Sequence, residues 1–333
     1  MKFVTLPISV QQNFIRALSN QTGLAPQILE KDWWVTAVLR AIFALPYSEA
    51  LSFKGGTSLS KCWNLIERFS EDVDIAITRE YLGFSGPLSK TQISDKLRRA
   101  ACSFVRGTLQ YDLKSKMIEQ GIPEDSFHIN VNITSVTTTD PERIEIHYNT
   151  NFETGFYVKN IIIIEVSGRS MSEPLQDVEL QSLLEDYFPN APFVEPKAIV
   201  KAVLPERTFL EKVCLLHEEF SNQLSQIRID RMSRHLYDIV QISKTDIADN
   251  AIANKELFNS IVEHRKNFIG LKGFDYTTMT PATINIVPPS EIMGLWKKDY
   301  EQMQESMIYG ESLPFDQLIE KIKYLNQKIN KTN

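Results

Sequence analysis

The sequence predicts an α+β head followed by an all-helical tail, and three observations carry that expectation. Short apolar strand patterns alternate with helical ones through about residue 190. Three prolines, Pro189, Pro192 and Pro196, then fall within eight residues. Beyond them the apolar residues recur almost wholly at helical spacing. Strands mixed with helices in the first part imply a mixed sheet flanked by helices. Each proline lacks a backbone donor and disfavours helix in the residue before it. The division is therefore expected there, with a head over 1–190 and a tail over 191–333.

In chain order, Pro26 suits the first turn of a helix over 26–45, on which Leu29, Trp33, Leu39, Ile42 and Phe43 recur at helical spacing. Of the adjoining Trp33 and Trp34, one is expected in the core and one at its boundary. Residues 51–54 form a strand candidate ending at Gly55-Gly56. A helix over 57–67 follows, with Leu59, Trp63 and Ile66 on one face, and then a second short strand over 73–77. Residues 95–120 read as helix, with Leu97, Ala101, Phe104 and Leu109 as the apolar side. Strand candidates follow at 127–133, 143–148 and 160–166. The tail reads as helices near 206–222, 228–243, 251–267, 290–308 and 314–330.

Composition narrows the class. Of 333 residues, 43% are hydrophobic and 23% charged, as in a soluble globular protein, and the length suits two domains that each bury a core. The scattered Cys62, Cys102 and Cys214 offer neither a disulfide framework nor zinc-ligand spacing. No apolar run approaches the ~18 residues of a membrane span. Met1-Lys2-Phe3-Val4 is not followed by the apolar run of a signal peptide, so a cytoplasmic protein with no membrane partner is expected. With 36 Lys+Arg against 42 Asp+Glu the formal charge is −6, which counts against a DNA-coating protein but leaves room for a local basic groove.

The densest chemical signal is Phe53-Lys54-Gly55-Gly56-Thr57-Ser58-Leu59-Ser60, followed by Arg68-Phe69-Ser70-Glu71-Asp72-Val73-Asp74. Paired glycines at a strand-to-helix turn allow positive φ and close backbone approach. The helix behind them aims unpaired N–H groups and the positive end of its dipole at the turn, which suits a phosphate. Thr57 and Ser58 add hydroxyl donors, and Lys54 completes the candidate phosphate-binding set with Gly55 and Gly56. Asp72 and Asp74 are two apart at the head of a strand and project from one face. Hard oxygen ligands beside a phosphate favour Mg²⁺ over zinc. Joined by one helix, the turn and the Asp-x-Asp strand point to a phosphate and metal site. Glu165, at the end of the apolar run Ile161-Ile162-Ile163-Ile164, is the expected third metal ligand, because a carboxylate in so apolar a strand needs a partner or a metal. Glu145 is the rival, with Arg143 and His147 as companions on a polar strand face.

At these residues the sequence resembles the nucleotidyltransferase AbiEii/AbiGii toxin family of the DNA-polymerase-β-like superfamily. Glu30-Lys31-Asp32, Arg207-Thr208-Phe209-Leu210-Glu211-Lys212, Arg234-His235-Leu236-Tyr237-Asp238 and Tyr309-Gly310-Glu311 are also similar to family motifs, in family order. The resemblance implies a nucleotidyltransferase head, an NTP co-substrate with Mg²⁺ or Mn²⁺, and an antitoxin partner. It implies transfer of a nucleoside monophosphate to an acceptor, RNA such as tRNA. A protein or small-molecule acceptor is the alternative, as is a nucleotide-binding interaction module without turnover. Lys212 matches the family lysine that reaches the triphosphate, and Asp238 matches a family acid that orients Lys212 or acts as base. The bland reading of Asp238 is an i,i+4 pair with Arg234. Ser70 matches a loop serine near the γ-phosphate, where a turn-stabilising role competes. Lys212, Arg231 and Arg234 are the local cations best suited to steer RNA. Glu30-Lys31-Asp32 carries no chemical role at this level.

Overall fold

The computed structural model describes residues 2–70, 72–131, 142–153, 159–171 and 173–332. The chain divides into two units, one made of Met1–Cys62 and Ser70–Ala202, the other of Trp63–Phe69 and Val203–Asn333. Each is described in turn.

The first unit opens with α1 (Ile8–Thr22), which closes on Gly23 at φ 74, and α2 (Pro26–Ile42), with Pro26 in its first turn. Then come β1 (Leu51–Lys54), α3 (Gly55–Lys61) and β2 (Asp72–Ile77). Residues 92–119 follow one helical path, containing α4 (Leu97–Phe104) and α5 (Gln110–Glu119), with wider π turns at Gln92–Lys96 and Val105–Leu109. The remaining elements are β3 (Phe127–Val131), β4 (Glu142–Tyr148), β5 (Ile161–Ser167), β6 (Leu175–Leu180), α6 (Leu183–Tyr187) and β7 (Ala198–Val203). Residues 132–133, at the end of the expected third strand, lie outside the described residues.

The seven strands form one sheet in the order β3-β4-β5-β2-β1-β7-β6. It is mixed: β2 pairs parallel with β5 and β1 parallel with β7, while β1–β2, β3–β4 and β4–β5 are antiparallel. Ile144, Ile146, Ile162, Ile164 and Val166 are all 0% exposed and fill one face of the sheet. At ~1.5–3 kcal/mol for each fully buried aliphatic side chain, this layer supplies much of the unit's hydrophobic stabilisation. The apolar run of β5 is buried on one face only. Its residues alternate, and Ile161, Ile163 and Glu165 stand half-buried on the opposite face.

Two further expectations change. The helix expected over 57–67 begins two residues earlier, at Gly55, and stops at Lys61. Trp33 and Trp34 are both core, at 1% and 2% exposure, because α2 is covered on all sides and twelve of its 17 residues are buried. Trp34 stacks on Tyr148 of β4 at 5.1 Å, and Trp33 packs on Phe3. The proline-rich stretch lies inside this unit, since the chain returns after it as β7 and pairs Ala202 with Phe53 of β1.

The second unit is helical: α7 (Pro205–Phe220), α8 (Ser233–Ile242), α9 (Asp246–Ala253), α10 (Lys255–His264), α11 (Met293–Ser306) and α12 (Phe315–Asn330). The single helix expected over 251–267 is divided at Asn254, whose side chain accepts from the Leu257 N–H and caps α10. The segment Trp63–Phe69 belongs with these helices. Phe69 N–H donates to the Met307 carbonyl at 2.7 Å, and the Tyr309 and Gly310 N–H groups donate to Glu67 O at 3.0 and 3.2 Å. A Cβ on Gly310 would stand 2.0 Å from Glu67 Oε2, so only glycine lets the two strands meet this closely. That gives the Tyr309-Gly310-Glu311 motif a physical reason. Among the described residues no helix is long and apolar enough to cross a membrane.

Candidate active site

The strand–turn patch of the first unit is built on register. Lys54 of β1 stands opposite Asp74 of β2, Asp74 is level with Glu165 of β5, and Glu165 is opposite Arg143 of β4. Directly paired residues share a sheet face, so Lys54, Asp74, Glu165 and Arg143 form one row in the order plus, minus, minus, plus. Asp72 lies two residues before Asp74 on the same face. Arg143 and Glu165 close one end of the row, with Nε and Nη2 at 2.7 and 2.6 Å from Oε1. The Glu165 side chain is 18% exposed and already paired, so its metal candidacy rests on its place beside Asp74 and not on deep burial. Glu145, the rival, accepts from His147 Nε2 at 3.1 Å and stands opposite Ile163.

Gly55 turns the chain from β1 into α3 at φ +79. A Cβ there would lie 1.9 Å from Asp74 Oδ2, so the glycine makes room for the Asp74 carboxylate as well as for the turn. Thr57, expected as a phosphate donor, is committed elsewhere. It is 3% exposed and its hydroxyl donates to the Asp72 carbonyl, tying the first turn of α3 to the start of β2. Ser58 is 2% exposed and lies beside the Cys62 thiol, which burial pushes up to about 12. Ser70 is half-buried in the segment that leads into β2. Because α3 has only 7 residues, its dipole is a smaller aid to an anion than the expected longer helix would give.

Two observations bear on a divalent metal. The donors Asp72, Asp74 and Glu165 are hard carboxylate oxygens on one face, which suits Mg²⁺ or Mn²⁺. Among the described residues no three acid, imidazole or thiol groups already converge on one point. Asp72 and Asp74 would form the first binding pair, with Glu165, whose Oε1 is held by Arg143, beside them. His128, His147, His217 and His264 likewise form no metal cluster among the described residues.

The second unit holds a buried ion cluster. Arg68 grips Asp238 of α8 with two bonds, Nε–Oδ1 at 2.7 Å and Nη2–Oδ2 at 2.8 Å. Lys212 of α7 reaches Asp238 Oδ2 at 2.9 Å and His235 Nδ1 at 3.3 Å. Both Asp238 oxygens thus serve Arg68 and Lys212, in place of the expected i,i+4 pair with Arg234. Burial pushes the Asp238 carboxyl up, but Arg68 and Lys212 outweigh it and hold the carboxyl well below its ordinary range. Burial lowers Lys212, with Arg68 and Arg234 adding to that and Asp238 opposing it. Burial, then Lys212 and Arg234, keep His235 neutral at pH 7. An aspartate so strongly held in its charged form is a weak proton acceptor. Arg68 is a residue of this cluster whose task is not legible from the sequence. Its signal was its place between the Gly-Gly turn and Asp-x-Asp.

Glu30 and Lys31 also find structural partners. The Glu30 carboxylate accepts from the Thr150 hydroxyl and, at 3.0 Å, from Asn151 N–H, while burial raises its pKa. Lys31 Nζ donates to the Lys159 carbonyl at 3.1 Å.

The model of a family described as nucleotidyl transferase AbiEii toxin, type IV TA system, matches residues 37–321. A similar solved structure is MenT4, a nucleotidyltransferase toxin from Mycobacterium tuberculosis H37Rv, at 12% identity over 95% of this chain and 99% of that one, with a TM-score of 0.48. No curated protein matches the chain.

Proposed function

Because the chain belongs to the nucleotidyl transferase AbiEii toxin family, and is thereby a nucleotidyltransferase, we propose that it transfers a nucleoside monophosphate from an NTP to an RNA acceptor such as tRNA. The observation that carries this reading is Gly55, where the phosphate-binding turn and the Asp74 carboxylate meet with no room for a side chain. Lys54 and the Gly55 and Gly56 backbone would hold the triphosphate, with Ser58 lining the turn and Ser70 toward the γ-phosphate. Asp72 and Asp74, with Glu165, would hold Mg²⁺ or Mn²⁺, which when bound neutralises triphosphate charge and polarises the phosphoryl group. Thr57 braces the turn. Lys212 keeps the role that the resemblance gives it, a positive charge for the leaving pyrophosphate, and Asp238 fixes its ammonium. The acceptor hydroxyl attacks the α-phosphorus, the bond to the bridging oxygen breaks, and pyrophosphate leaves. The family also supports an antitoxin partner, which a small DNA-binding protein encoded beside this chain would supply, and a site of action in the cytoplasm.

The test is incubation of the protein with each labelled NTP, Mg²⁺ and total RNA, beside the Asp74→Ala and Gly55→Ala variants. Wild type is expected to label RNA with at least one NTP, and both variants to lose about 100-fold or more in rate, which is a barrier raised by about 3 kcal/mol or more. Null labelling by wild type with all four NTPs, in the proven presence of a competent acceptor, overturns the reading. Label appearing on protein or on a small molecule instead would move the acceptor to that class.

A further inference from the structure

Glu30-Lys31-Asp32 is the motif that the proposed chemistry leaves unused, and its third residue reaches the helix that carries the turn. One Asp32 oxygen, Oδ1, accepts from the Lys61 ammonium; the other, Oδ2, accepts from the Leu183 N–H at 2.7 Å. Lys61 is the last residue of α3, and Leu183 is the first residue of α6. Both side chains of the ion pair are largely out of water, Lys61 at 9% and Asp32 at 13% exposure. Asp186 of α6 faces the same pair, its carboxyl raised mainly by burial and opposed by Lys61. Asp32 itself sits in the middle of α2, the most enclosed helix of the unit.

The helix α3 is therefore pinned at both ends. At its start, Thr57 holds it to the Asp72 carbonyl of β2, and Gly55 lies against Asp74. At its end, Lys61 holds it to the core through Asp32. From Gly55 to Lys61 the helix has only 7 residues, about two turns, so a shift at Lys61 passes to Gly55 with little to absorb it.

We propose that Asp32, acting through Lys61, is a positioning residue that sets the Gly55-Gly56 turn against Asp72 and Asp74 for triphosphate binding. This rests on the phosphate reading of the turn given above. Neither Asp32 nor Lys61 touches the reacting atoms. Their pairing fixes where the turn stands. It also explains why two separate motifs accompany each other in this chain: one supplies the turn and the other its anchor. Glu30, on the same helix, holds Thr150 and Asn151 and has no connection of this kind to α3.

Binding of magnesium tripolyphosphate, followed by calorimetry, tests the proposal without requiring the correct base or acceptor. Lys61→Met is expected to weaken that binding about tenfold and to speed amide exchange at 56–60. Lys61→Arg, which keeps the charge, is expected to restore affinity to within about twofold. Asp32→Asn, which keeps an acceptor for Leu183 N–H, should behave like Lys61→Met and serves where that variant does not fold. Glu30→Gln should lower the thermal midpoint while leaving tripolyphosphate affinity within about twofold. If Lys61→Met and Asp32→Asn bind as wild type does and exchange at 56–60 is unchanged, the positioning role is wrong. If wild type itself does not bind magnesium tripolyphosphate, the phosphate reading of the turn fails instead, and exchange at 56–60 alone then decides whether the anchor exists.

Discussion

Asp238 combines complete burial with two cationic partners, and the balance between them decides its behaviour. It is 0% exposed, and removing its charge would leave Arg68 and Lys212 buried without their shared anion. Breaking a buried pair in this way costs about 3–5 kcal/mol, so Asp238→Asn is expected to lower unfolding free energy by that amount at pH 7. The sign with pH follows from the depressed folded-state pKa. The stabilisation is present above the ordinary aspartate value near 3.8 and fades as pH falls through and below it. Denaturant unfolding between pH 3 and 7 should show the wild type losing stability towards the acid end and Asp238→Asn changing less. A slope shared by both proteins would mean that other carboxylates carry the acid sensitivity. From sequence, spacing offered Asp238 its helical neighbour Arg234 and the family resemblance offered Lys212, but Arg68, 170 residues away, was not legible as a partner. The Thr57 hydroxyl was likewise legible as a donor, but the carbonyl that takes it was not.

Among the elements, the row across four strands makes the sharpest forecast. Arg143 is 58% exposed in its side chain, so its pair with Glu165 contributes ~0–1 kcal/mol to stability and is cheap to lose. Arg143→Gln is therefore expected to change the thermal midpoint little while freeing Glu165 beside Asp74. Mn²⁺ binding, measured by electron spin resonance, should tighten several-fold. Unchanged or weaker binding would argue that Glu165 is not a ligand. Which elements were readable from sequence follows from how they are buried. The first two strands and the run around β5 were located to within a residue or two, since their apolar runs end at turn residues or charges. The row itself was not, because register between strands leaves no trace in a single chain. The edge strand β6 was missed, since only Leu180 of its Leu175–Leu180 is buried and its polar residues break any apolar run. Helix α6 was missed despite a readable Ser182–Glu185 capping box, and α1 despite its closing glycine.

At the scale of the molecule, the division into an α/β part and a helical part was legible, but the route of the chain between them was not. Prolines mark a break in local conformation. They do not say where the chain goes afterwards, and here β7 returns to the sheet before the helices begin. Nor does composition single out Trp63–Phe69 as part of the helical unit. That membership predicts that residues 203–333 alone lack a cooperative thermal transition, since Asp238 then has no Arg68 and the 307–310 backbone has no partner strand. Joining 63–69 ahead of them through a flexible linker should recover one. A cooperative melt of the bare fragment would show that the segment is dispensable.

The same segment sets a clock during synthesis. Arg68 emerges from the ribosome 170 residues ahead of Asp238. At roughly 5–20 residues per second, it waits on the order of ten to thirty seconds for its anion. Glu67 waits longer still for Gly310. The helical unit therefore cannot be completed until nearly the whole chain has been translated, and a truncated product carries the turn and the Asp-x-Asp strand joined by a loop with nothing to hold it.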